Sequence, residues 1–190
     1  EISARGLGVK TAVAGLHPSA LPERTMKEEK TDFVCEGEGF YTLVQLIAAL
    51  REGRGMEDAQ VKGLWYRVDK GIVRPERNAP LVSDLDRDMP RVSWDLLPMD
   101  RYRAHNWHCF QEPGQKREPY AVIYTSLGCP YKCHFCCINA IFGGPGIRYR
   151  SPGKVVDEIG LLVDSYGVRN IKIMDEMFEL NEGHVSAICD

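Results

Sequence analysis

Apolar and polar positions alternate along the chain in two blocks. KTAVAG, residues 10–15, is a short apolar run that ends in glycine, and it predicts a buried strand. LHPSALPERTMKEEK then reads as a loop and a short helix. DFVCEG, 32–37, is a second β-favouring run ending in glycine. GFYTLVQLIAALREG places Phe40, Leu43, Val44, Ile47 and Leu50 on one helical face, and Gly53 stops the helix. Strand–helix–strand–helix over 10–53 is the pattern of an open α/β sheet. Two strands are too few to bury a sheet from both sides, so this block reads as the last third of a doubly wound domain whose beginning is missing. GLWYRVDKGIVRP, 63–75, predicts a hairpin turning at Asp69-Lys70-Gly71.

Residues 75–101 hold four of the eleven prolines and the acidic run SDLDRD, and they predict an extended linker. AHNWHCF, 104–110, adds His105, Trp107, His108 and Cys109, which either line a junction between domains or form a polar linker. Periodicity returns at PYAVIYTS, 119–126, a strand carrying Val122, Ile123 and Tyr124. SPGKVVDEIGLLVDSYG predicts a helix with Ser151 as N-cap and Pro152 at its first position. Its apolar face is Val155, Val156, Ile159, Leu162 and Val163, and Gly167 ends it. NIKIMDEMF, 170–178, is a strand with acids at its C-terminal end, and NEGHVSAICD opens another helix. The order predicts a parallel β/α unit. FGGPGIRYRS, between them, reads as a flexible surface loop.

Composition narrows the class. The 190 residues are 44% hydrophobic and 27% charged, as in an ordinary globular protein, and the net charge of −3 offers no basic footprint for nucleic acid. No apolar run approaches the roughly 20 residues of a membrane span. Both ends read as truncated. Seven cysteines, clustered and without a secretion signal, point to a reducing cytoplasm.

Four of those cysteines fall in TSLGCPYKCHFCCINA, with C-x-x-x-C-x-x-C spacing at Cys129, Cys133 and Cys136. A redox pair leaves Cys129 unexplained. Structural zinc wants four ligands and a second C-x-x-C knuckle; Cys137, His134 or Cys109 would have to complete it, and zinc stays open. Iron–sulfur clusters are held by thiolates, and three in one short loop suggest a cubane with one open iron. Cys35, Cys137 and Cys189 read as packing residues.

C-P-Y-K-C-H-F-C resembles the signature of the radical S-adenosylmethionine superfamily, a three-cysteine loop after the first strand of a partial β/α barrel. The resemblance implies that Cys129, Cys133 and Cys136 ligate a [4Fe–4S] cluster whose open iron chelates S-adenosylmethionine. It further implies one-electron cleavage to a 5′-deoxyadenosyl radical, and hence an electron donor and a small-molecule substrate as partners. Phe135 matches the position that lies against the adenine. Asp175 and Glu176, in Met174-Asp175-Glu176, stand where many members carry Gly-Gly-Glu to hold the amino group of S-adenosylmethionine.

GLHPSALPE and DFVCEGEGFYTLVQL, with the linker WDLLPMDRYR, resemble the cobalamin-binding members of that superfamily. The resemblance implies a cobalamin crevice at Gly15 and His17 and at Glu36, Gly37 and Glu38, since glycine turns at the carboxyl ends of parallel strands make room for a nucleotide-like ligand. His17 lacks the D-x-H-x-x-G context of a cobalt-ligating histidine. The expected architecture is α/β: the end of a flavodoxin-like cobalamin-binding domain (1–60), a hairpin and linker (61–118), and the start of a partial (β/α) radical S-adenosylmethionine barrel (119–190). The implied activity is cobalamin-dependent C-methylation. Radical cyclisation or rearrangement, and a zinc or redox module, are the alternatives. A partial barrel with an open edge strand predicts poor solubility for the chain alone.

Overall fold

The structure, a computed structural model, describes residues 8–89, 91–104 and 117–190. His105, Trp107, His108 and Cys109 lie outside the described residues. The chain is mixed α/β and divides into two compact units: residues up to Val82 with Pro130–Gly146, and Ser83–Cys129 with Ile147–Asp190.

The first unit holds a sheet in the order β1 (Ala12–Ala14), β2 (Phe33–Cys35), β3 (Leu64–Val68), β4 (Gly71–Val73). β1 and β2 are parallel, as expected for strands joined through a helix. β3 pairs antiparallel with β2, and β4 with β3, so the hairpin extends the first sheet rather than opening the linker. β2 is buried along its whole length. Alternation explains how: Phe33 and Cys35 pack with Leu46, Ala49 and Leu64 on one face, while Val34 packs with Met26 and Trp65 on the other. Both faces of the sheet are therefore covered, against the expectation from strand count. β1, expected to be buried, is an edge strand with Ala12 and Ala14 exposed.

The helix Phe40–Arg51 forms where its periodicity placed it, but it turns a different face inward. Thr42, Leu46 and Ala49 are buried, and Leu43 lies against them, while Val44 is 66% and Ile47 53% exposed. The cause is Thr42: its hydroxyl donates to the Lys62 carbonyl at 2.8 Å, and this polar anchor rotates the helix away from its most apolar stripe.

The second unit is built on β5 (Tyr120–Ile123), which pairs in parallel with β8 (Asn170–Ile173). The helix Pro152–Tyr166 makes the crossover, and Gly167, at φ 62°, closes it by donating its N–H to the Val163 carbonyl. A second pair, β6 (Ser126–Cys129) with β7 (Gly146–Tyr149), occupies chain that the sequence reads as loop. Short polar and glycine-rich strands of this kind carry too little apolar alternation to be seen in advance.

The expected linker is not extended. Trp94 and Met99, on two short 3₁₀ turns, are buried in one core with Ala121, Ile123, Val155, Leu162 and Val168. A buried polar cluster fixes this arrangement. Glu158, in the middle of the helix, accepts from the Trp94 indole at 2.7 Å and from the Val92 amide at 3.3 Å. Its other oxygen pairs with Arg150 at 2.6 Å, and Arg150 also donates to the Tyr124 carbonyl at 3.0 Å. Val156, expected on the buried face, is exposed.

Breaking a buried pair costs more than the pair contributes, because one charge is left behind. Glu158→Gln is expected to destabilise the second unit by about 3–5 kcal/mol, and Trp94→Phe by about 1–3 kcal/mol through one unmade bond. Urea unfolding of the full-length protein followed by circular dichroism measures both; equal midpoints for wild type and Glu158→Gln would show the cluster to be energetically idle.

Candidate functional site

Three groups of side chains occupy the positions singled out in the sequence. The first lies at the carboxyl ends of β5 and β8, where β/α folds gather their chemistry. Asp175 follows β8. Its Oδ1 accepts from the Thr125 amide at 2.7 Å, and its Oδ2 accepts from the Thr125 hydroxyl at 2.5 Å and the Ser126 hydroxyl at 2.7 Å. Thr125 and Ser126 are fully buried. Glu176 reaches one step further along the same strand, where Oε2 accepts from the Gly128 amide at 3.2 Å. Gly128 has φ 101°, a backbone state that side-chain-bearing residues rarely adopt.

His184, buried on the last helix, completes this group. Its Nε2 lies 3.0 Å from the Thr125 hydroxyl. That hydroxyl has one proton, which goes to Asp175, so it accepts from His184 Nε2–H. The Tyr149 ring packs against the imidazole at 4.8 Å between centroids. Burial holds the His184 pKa below its ordinary value, while the Asp175 carboxylate pulls the other way. Nothing in the sequence marks His184, since a lone histidine on a short helix has no motif; the hydroxyl pair before the cysteine loop is its one trace.

The second group is the cysteine loop. Cys129 ends β6 and is half-buried, whereas Cys133 and Cys136 are exposed, and the Cys136 amide donates to the Cys133 carbonyl at 3.1 Å. All three are free thiols. Phe135 is 94% exposed and buries nothing of its own. Among the described residues no three His, Cys, Asp or Glu side chains are gathered into a metal-holding group. The donor set nonetheless suits a soft metal: three free thiols within eight residues of sequence. Cys137 and Cys189, expected to pack, are exposed. Cys35 is fully buried as expected, and burial pushes its thiol up to about 11.

The third group is the pair of glycine turns in the first unit. Gly15, at φ 119°, follows β1, and His17 stands exposed on the five-residue helix after it. Gly37 and Gly39 both have positive φ. Ser19 clamps the turn from below: its hydroxyl donates to the Gly37 carbonyl at 3.2 Å and accepts from the Gly37 amide at 3.1 Å. Glu36 accepts from the Trp65 indole at 2.7 Å, and Glu38 from the Val82 amide at 2.7 Å. Each acid thus has an oxygen engaged in shaping the turn.

Comparison with known proteins bears on what these groups serve. The chain is 36% identical over 92% of its length to an uncharacterized methyltransferase of Pyrococcus horikoshii, covering 35% of that protein. It is 31% identical over 86% of its length to the anaerobic magnesium-protoporphyrin IX monomethyl ester cyclase of Synechocystis, covering 30% of it. The fold matches the radical S-adenosylmethionine methyltransferase TsrM of Kitasatospora setae, solved with cobalamin and a [4Fe–4S] cluster bound, at a TM-score of 0.61 and 21% identity, over 93% of this chain and 32% of that one. The chain is thus similar in sequence to a methyltransferase and to a cyclase, and in fold to a radical S-adenosylmethionine methyltransferase. It spans about a third of the length of the curated relatives it matches. No protein-family model matches it. Among the described residues no helix is long and apolar enough to cross a membrane.

Two outcomes are expected. Iodoacetamide at neutral pH should label Cys133, Cys136, Cys137 and Cys189 in the folded, metal-free protein and spare Cys35, as peptide mass spectrometry would show; rapid labelling of Cys35 would contradict its burial. His184 binds its proton less readily folded than unfolded, so its contribution to stability is complete above about pH 6.5 and is lost as pH falls below that value. His184→Gln should flatten this part of the stability–pH profile, measured by denaturant unfolding between pH 7.5 and 5.

Proposed function

We propose that this chain carries the cluster loop and part of the cobalamin crevice of a radical S-adenosylmethionine enzyme, and that the enzyme methylates an unactivated carbon of a small molecule. The observation that carries the reading is the C-x-x-x-C-x-x-C run of free thiols entered from a β/α unit, in a chain 36% identical to a methyltransferase. When bound, a [4Fe–4S] cluster supplies the electron that cleaves S-adenosylmethionine, and cobalamin carries the methyl group.

The chain's own residues divide the remaining work. Cys129, Cys133 and Cys136 hold the cluster. Phe135 offers an exposed aromatic face for the adenine ring. Glu176, with one oxygen engaged by Gly128, would hold the amino group of S-adenosylmethionine through the other. Gly15, His17 and the turn Glu36-Gly37-Glu38 border the cobalamin, with Gly37 allowing close backbone approach. An electron donor and a substrate complete the system. The exposed thiols suit a reducing compartment such as the cytoplasm.

A second reading rests on the cyclase of Synechocystis at 31% identity: ring formation without methyl transfer. Methyl-labelled S-adenosylmethionine given to the full-length enzyme separates the two, since only the methyltransferase leaves label in product.

The first test is anaerobic reconstitution of the full-length protein with iron and sulfide, followed by electron paramagnetic resonance of the reduced sample. A cubane signal that shifts on adding S-adenosylmethionine, and that Cys133→Ala abolishes, is the expected result. Bound zinc with no acid-labile sulfide would sink the radical reading in favour of a zinc module.

A further inference from the structure

We propose that Asp175 is a positioning residue: its carboxylate, braced through Thr125 by His184, fixes the strand that presents Cys129. The proposal rests on the functional reading above and assigns Asp175 a task other than meeting S-adenosylmethionine.

The geometry is specific. Asp175 engages both of its oxygens with three donors, all from Thr125 and Ser126. Two of the donors are hydroxyls on fully buried residues. A carboxylate so occupied has little left for a ligand's ammonium group. Hydrogen bonds to an ionised acceptor are roughly twice as strong as neutral ones, so three of them hold a segment firmly. Glu176 extends the grip to Gly128. Two adjacent acids from one strand end therefore hold three of the four residues preceding Cys129: Thr125, Ser126 and Gly128. The last of these sits at φ 101°, a conformation that free chain would leave readily.

His184 braces the same hydroxyl. The Asp175 carboxylate takes the Thr125 hydroxyl proton, which leaves that oxygen to accept from His184 Nε2–H. The imidazole is held in turn by the Tyr149 ring, and the His184 amide is capped by Asn181 Oδ1 at 3.1 Å. The result is a directed chain, His184 to Thr125 to Asp175, in a buried setting. A ligand presented on a rigid, supported strand binds its metal with less loss of freedom than one on a loose loop.

The test compares Asp175→Asn, Thr125→Val and the conservative Thr125→Ser in the full-length protein. Two readouts are taken: amide exchange of residues 124–129 without metal, and release of the reconstituted cluster to a chelator. Asparagine presents an N–H₂ to donors, and valine removes the hydroxyl. Both are expected to speed exchange about tenfold and cluster release about tenfold, with Thr125→Ser close to wild type. Faster exchange with wild-type cluster release would overturn the proposal, leaving a purely structural tie. So would an Asp175→Asn protein in which only the S-adenosylmethionine-induced spectral shift changes while Thr125→Val is silent, because that pattern marks a direct ligand. A wild-type protein that binds no cluster fails the functional reading itself, and the positioning role falls with it; variants that match a cluster-loaded wild type fail this inference alone.

Discussion

A carboxylate buried in the middle of a helix must be fully answered, and the second unit is arranged around the answer. Glu158 takes an indole N–H and a backbone amide on one oxygen and a guanidinium on the other. Meeting that demand brings Trp94 and Val92 of the supposed linker onto the helix and brings Arg150 in from the end of β7. Arg150 then holds the Tyr124 carbonyl, next to the residue that Asp175 grips. Each group is tolerable inside only because the next one is present. The strand that leads into the cysteine loop is thus secured from one side by a cation and from the other by an acid.

Carboxylates serve the first unit in a similar way. Glu36 and Glu38 flank the glycine turn at Gly37. Their hydrogen bonds run to Trp65, Asn78 and Val82, which belong to the framework. The turn's positive φ values at Gly37 and Gly39 are maintained by these ties and by Ser19. Acidic residues beside a glycine turn need not serve a ligand; here they set the shape of the turn.

The sequence was most legible where one physical signal dominated. Apolar runs ending in glycine located β1 and β2, runs rich in Val, Ile and Tyr located β5 and β8, and the Ser-Pro start with a glycine stop bounded the helix Pro152–Tyr166 closely. Cysteine spacing narrowed the chemistry to metal binding, with zinc and an iron–sulfur cluster both left open. Legibility failed where a polar group overrode the apolar pattern. Thr42 turned its helix away from the stripe of Phe40, Val44, Ile47 and Leu50, and Glu158 recruited a tryptophan from what composition marks as linker. Neither partner is near in sequence, so no local window contains both halves of the interaction. β6 and β7 were missed because Ser126 and the glycines give no alternation to read.

The indole bonds have a further consequence. Trp65 donates to Glu36 in the first unit, and Trp94 donates to Glu158 in the second. Both rings are buried, so their emission is governed by the polarity and charge immediately around them rather than by bulk water. Each unit therefore contains its own intrinsic fluorophore wired to a carboxylate. One sits beside the glycine turns and the other behind the strand that enters the cysteine loop, so with Trp107 and one of the two replaced by phenylalanine the remaining indole reports on its own unit by light, without an added label.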